Sequence, residues 1–182
     1  MAYKPGAMSQ WPWEGMGDFK YLLYTPFVAA VAFGFDDADN WAYHTLCIAA
    51  LRYLQNWLWI VVSRTDAISG KHKIQDKPIN YEQIDREDRW DDYIILHAFV
   101  STMVHLVVPG FSGFPLWNER GLWHMLLLHA GPTEFVYYWF HRALHHHSLY
   151  KSYHSHHHSS FVTEAITGSV HPFVEHLGYT AN

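Results

Sequence analysis

The stretch TEFVYYWFHRALHHHSLYKSYHSHHHSS (Thr133–Ser160) decides how this chain is read. Eight of the sixteen histidines fall between His141 and His158. Arg142, Leu144, Leu149, Tyr150 and Tyr153 interrupt them, so the tract is no poly-histidine tail. His141 and His145 are four residues apart, which on a helix places both rings on one face, one turn above the other. His154, His157 and His158 follow the i, i+3, i+4 pattern, which converges three rings on one helical face while His156 points elsewhere. Two helical faces thus present five rings.

Imidazole suits iron, copper, zinc and nickel. The single cysteine, Cys47, lies far from the tract, so neither a cysteine-based zinc site nor an intrachain disulfide can be built. An all-histidine shell also tolerates oxidants that would carry a thiolate up the sulfenic and sulfinic ladder. Redox iron is favoured over zinc on that ground. A ligating ring needs its second nitrogen held by a carboxylate or carbonyl. Glu134, seven residues before His141 and so two turns away on the same face, is one candidate. His171 and His176, in VHPFVEHLG, are candidate additional ligands with Glu175 beside them, although Pro172 can break the helical spacing. His44, His72, His97 and His105 read as ordinary packing or interface residues.

Outward from the tract, the composition pairs 18% aromatic with only 16% charged residues in 182. That pairing suggests a chain partly in lipid, where Trp and Tyr gather at the interfaces. A net charge of −5 argues against a nucleic-acid partner. The N-terminus lacks an apolar run before Pro12, so no cleavable signal is expected. Four apolar stretches, Tyr21–Phe35, Trp41–Val62, Tyr93–Val108 and Leu122–Phe140, read as helices bounded by Pro, Gly or charge. The fold expected is all-α, one domain of membrane-embedded helical hairpins. The segment Ser63–Asp92 reads as a solvated loop, and PGFSGFPLWNERG (Pro109–Gly121) as a second turn region. If all four stretches cross, the histidine cluster shares one side with Arg64, Lys71, Lys73, Lys77, Arg142 and Lys151, which marks the cytosolic face.

The pairing of HRALH with HSHHH resembles the signature of the membrane-bound fatty acid hydroxylase and sterol desaturase superfamily, H-x3-H followed by H-x2-HH. WPWEGMGDFKYLLYTPF, INYEQIDREDRWDDYIIL, PLWNERG and the long histidine stretch resemble, in order, landmarks of its plant cuticular-wax branch, the very-long-chain aldehyde decarbonylases of the Eceriferum and Glossy type. The resemblance spans essentially the whole chain. It implies an endoplasmic-reticulum membrane enzyme with two iron ions that converts very-long-chain aldehydes to alkanes. Electrons would come from NAD(P)H through cytochrome b5, since no Gly-rich phosphate loop is present. Other wax-synthesis subunits and a homodimeric arrangement are the partners it implies. The ligands it implies are His141, His145, His154, His157 and His158, with no catalytic base or nucleophile beyond them. Tyr137, Tyr138 and Trp139 are placed to line an acyl path or to anchor at the interface. The superfamily carries a further H-x2-HH box, and the wax branch a large C-terminal domain. Residues 1–182 hold neither and read as the N-terminal part of such an enzyme. Hydroxylation or desaturation of a lipid or sterol, and a catalytically incomplete scaffold subunit, are the alternatives.

Overall fold

The computed structural model describes residues 6–10, 14–34, 41–65, 75, 77, 79, 81–87, 89–110 and 118–180, and every regular element among them is helical. A 3-10 stretch (Glu14–Tyr24) leads into α1 (Thr25–Ala32), where Pro26 sits in the first turn and its missing N–H costs nothing. Then follow α2 (Trp41–Arg64), α3 (Tyr81–Arg86), α4 (Asp92–Val107), α5 (Glu119–Leu128), α6 (Glu134–Leu144) and α7 (Phe173–Thr180). His72, Lys71, Lys73 and positions 111–117 of the second turn region lie outside the described residues.

The core sits between α1, α2 and α4. Phe27 and Ala30 pack on Ala42, and Ala49 packs on Ile94 and Ala98. Alanines at 42, 49 and 98 let the helices approach closely, and the Thr45 and Thr102 hydroxyls pair across the same seam. Polar groups lock one end. Lys20 Nζ reaches Asp91 at 2.6 Å and Asp92 at 2.8 Å, all three residues buried, which ties the N-terminal segment to the start of α4.

The all-α expectation holds, but the lengths of the helices do not establish the expected membrane hairpins. The first apolar stretch is spent on a 3-10 segment and an eight-residue helix, and the third on sixteen residues, both short of the roughly 20 that cross a bilayer core. The fourth is divided. Its helical path widens into a π turn at His129–Thr133 around Pro132, which cannot donate to the ladder. Among the described residues, α2 alone is long and apolar enough to cross a membrane. Its apolar side chains face outward, with Leu51, Trp57 and Trp59 all more than half exposed, unlike the core helix of a soluble protein. The α5–α6 rod is also bare along Leu122–Trp139.

The polar segment before α4 is not a simple solvated loop. It forms α3, and Gln83, Glu87 and Asp91 are buried because each is hydrogen-bonded. Gln83 donates through Nε2 to the Val162 carbonyl at 2.7 Å and accepts the Val162 N–H at 3.0 Å. Ser160 donates to Glu87 at 2.7 Å. The chain just after the second histidine box is thereby clamped to α3. A second clamp comes from the N-terminus: Gly6 N–H donates to the Ser152 carbonyl, and Ser9 accepts the N–H of Phe173 at the head of α7. A Cβ at position 6 would lie 2.5 to 2.8 Å from the Tyr153 ring, so only glycine permits this approach.

Candidate metal centre

Box one is carried by α6. Its last turn presents His141, and His145 caps the helix while keeping helical angles (φ −74, ψ −5), so the rings stay one turn apart. Their Nε2 atoms are 3.1 Å apart. Box two has no regular helix beneath it. His154 ends a π turn (Tyr150–His154), two residues bend, and a 3-10 turn (His157–Ser159) follows. This uneven path brings His158 back over His154, with Nε2 atoms 2.9 Å apart, and sets His154 Nε2 3.2 Å from His145 Nε2.

His141, His145, His154 and His158 thus offer four nitrogens, all within 4.8 Å of one another. Ligands about 2.1 Å from one ion stand roughly 3.0 Å apart when adjacent and about 4.2 Å when opposite. The three contacts of 2.9 to 3.2 Å match adjacent ligands, so the group could hold a metal ion. His154 is the hub, fully buried and touching both neighbours.

The other sequence candidates are placed as follows. His157 lies beside the four-ring group, not in it, stacked on His171 with centroids 4.3 Å apart. Its Nδ1 is buried with no hydrogen-bond partner among the described residues. His171 packs edge-on to His176 at 5.4 Å, and His176 stacks on Tyr93. Glu134 is exposed at the start of α6, and no described hydrogen bond joins it to a box histidine. Glu175 is 1% exposed, and its Oε1 lies in hydrogen-bond contact with His154 Nδ1 at 2.7 Å. Tyr137 tilts against His141, whereas Tyr138 and Trp139 are exposed and engage Arg142.

Burial and the neighbouring rings hold His141, His154 and His157 down at about 4, so all three are neutral and able to ligate at neutral pH. Burial pushes Glu175 up to about 8, opposed by the Tyr179 hydroxyl and by His145. A cation among the rings would favour its carboxylate. Tyr179, absent from the sequence candidates, donates to Glu175 Oε1 at 3.0 Å and stands 3.2 Å from His141 Nδ1. The i, i+4 spacing of Glu175 and Tyr179 was legible, but nothing local tied the tyrosine to a histidine thirty-eight positions away.

A cavity of about 570 Å³ adjoins the cluster, lined by Arg52, His97, Tyr137, Ser169, His171 and Tyr179 among others. His171 and Tyr179 also touch the residues around the rings, so cavity and cluster share a wall.

Comparison with known proteins agrees with the resemblance to the plant wax branch. The chain is 48% identical over 185 residues to "Protein CER1-like 1" of Arabidopsis thaliana, covering 99% of the chain and 30% of that protein. It is 48% identical over 185 residues to "Very-long-chain aldehyde decarbonylase GL1-6" of Oryza sativa subsp. indica, and 45% identical over 184 residues to "Very-long-chain aldehyde decarbonylase GL1-7" of Oryza sativa subsp. japonica, covering 98% of the chain and 29% of each. The chain therefore spans under a third of the length of the curated relatives it matches. No protein-family profile and no solved structure matches it. Matched along almost its whole length, the chain fits the plant wax branch of CER1-like and GL1 proteins.

Proposed function

We propose that this chain supplies the metal-binding part of an iron-dependent aldehyde decarbonylase acting on very-long-chain aldehydes. The observation that carries the reading is the convergence of four imidazole nitrogens within 4.8 Å, in a chain whose relatives bear that enzyme's name. His141, His145, His154 and His158 would hold one iron; the second that the resemblance implies would draw on His157, with His171 and His176 nearby, which do not gather into such a group among the described residues. When bound, the iron pair supplies the oxygen and electron chemistry that parts the carbonyl carbon from the alkyl chain, and electrons reach it from NAD(P)H through cytochrome b5.

The chain's own residues bind, orient and exclude water. His154, fully buried, keeps solvent from the centre of the ring group. The shared cavity gives the aldehyde head a place beside the rings, with Tyr137 and Tyr179 as its aromatic wall and Arg52 as its cation. The exposed apolar surface of α2 and of the α5–α6 rod supports residence in the endoplasmic-reticulum membrane, the rings facing the cytosol. Other wax-synthesis subunits, a second copy of the chain included, are the proposed neighbours there.

Iron analysis of the purified protein, with gas chromatography of lipids from cells that express it, tests the reading. Bound iron and new odd-chain alkanes are the expected result. Bound iron with 2-hydroxy acids or altered sterols would move the chain to the hydroxylase and desaturase side. A protein that binds no iron would be a scaffold.

A further inference from the structure

Three hydrogen bonds form one continuous path between the two histidine boxes. His154 Nδ1 lies 2.7 Å from Glu175 Oε1, Tyr179 Oη lies 3.0 Å from that same oxygen, and Tyr179 Oη lies 3.2 Å from His141 Nδ1. Glu175 and Tyr179 are one turn apart on α7, so a single helical face serves both contacts. The donors can be assigned around this path. With Glu175 ionised its oxygens only accept, so Oε1 then takes the His154 Nδ1–H and the Tyr179 O–H. With its proton spent on Glu175, the tyrosine oxygen is left to accept from His141 Nδ1–H. Each ring then carries its hydrogen on Nδ1 and turns a bare Nε2 lone pair toward the other rings.

We infer that Glu175 and Tyr179 act together as positioning residues, a strut from α7 that sets the tautomer and orientation of one metal-ligating histidine in each box. The inference rests on the metal-centre reading and adds to it the tyrosine and the coupling of both boxes to one helix. Packing keeps the strut in place. The Tyr179 ring meets Phe140 edge-on at 5.3 Å and Tyr137 at 5.4 Å, both on α6. The Phe140 ring lies so close to Gly178 that a Cβ there would fall within 2.8 Å of three of its carbons. Glycine at 178 is what lets α7 approach α6 closely enough for Tyr179 to reach His141. The four converging rings are drawn from residues 141–158, but the aim of two of them is set from residues 175–179.

The test uses Tyr179→Phe, which keeps the ring and its packing, together with Glu175→Gln and Glu175→Leu. The purified protein in detergent is titrated with Co(II) and followed by its visible spectrum. Tyr179→Phe is expected to weaken Co(II) binding about 10-fold and Glu175→Leu up to about 100-fold, the range for lost hydrogen bonds to ligating histidines. Glu175→Gln retains an accepting oxygen and is expected to restore most of the loss. A second readout needs no metal: nitrogen NMR of the histidine rings at about pH 9, where Glu175 is ionised. Tyr179→Phe should move the proton of His141 while leaving His154 on Nδ1, and Glu175→Leu should move both. Wild-type protein that shows these tautomers yet binds no Co(II) would sink the metal reading and leave the strut standing. Co(II) binding with the affinity, the spectrum and both tautomers unchanged in Tyr179→Phe and Glu175→Leu would overturn the strut.

Discussion

His141 and His145 meet because one turn of α6 separates them, whereas His154 and His158 meet across a π turn, a bend and a 3-10 turn held in place from outside. The first pair is a property of local geometry, and any stable helix with H-x3-H would produce it. The second depends on distant partners: α3 gripping Val162, the N-terminal segment gripping Ser152 and Phe173, and Glu175 gripping His154. Histidine number is therefore a poor guide to the site, and support decides which rings count. His157 shows it, adjacent in sequence to a ring of the group yet stacked on His171 instead.

The sharpest break in this comparison is His154→Ala. It removes the ring that joins the two boxes and strands the buried Glu175, at about 2 kcal/mol of stability for the lost partner. Metal affinity measured by titration should fall by about 100-fold or more, exceeding the cost of losing an outer hydrogen bond. Gln83→Leu comes next, since it frees both backbone groups of Val162 without touching a ring. A loss of about 2 kcal/mol in a denaturant titration is expected. Histidine NMR should show box two perturbed and box one unchanged. Equal disturbance of both boxes would mean that they are not separately supported.

The pH dependence of the metal-free protein sharpens the same contrast. His141, His154 and His157 have folded-state values near 4, below the usual 6.5, so the unfolded chain binds more protons between these limits. Their contribution is present above about pH 6.5 and is lost as pH falls toward 4. Glu175 runs the other way: raised to about 8, it favours the folded state at low pH and loses that contribution as pH climbs from about 4.5 through 8. Stability followed by thermal unfolding should therefore peak near pH 6.5, and Glu175→Gln should remove the decline on the alkaline side. The smallest effect belongs to His147→Ala. That ring is exposed and outside the four-nitrogen group, so stability should change by no more than about 0.5 kcal/mol and metal affinity not at all.

Much of this was written locally. The four apolar stretches mark helical segments, and the box spacings nominate the rings that gather. The span count was harder to read, because composition does not reveal that Pro132 sits in a widened turn or that Tyr21–Tyr24 winds as a 3-10 segment. The polar segment before α4 misled for another reason. Charge and amide content signal solvent unless partners exist, and the partners of Gln83 and Glu87 lie more than seventy positions away.

By itself the sequence determined the donor chemistry: imidazole in H-x3-H and H-x2-HH spacing without cysteine, on a chain whose aromatic stretches wind into helices. That information is local, because helix pitch converts spacing into direction within a few residues. Only the tertiary structure decided that His157 lies beside the group, stacked on His171, that Glu175 rather than Glu134 holds a ring, and that Tyr179 joins the two boxes. Those choices depend on where α7 and α3 pack against the histidine segment, and contacts between residues so far apart leave no periodic trace along the chain.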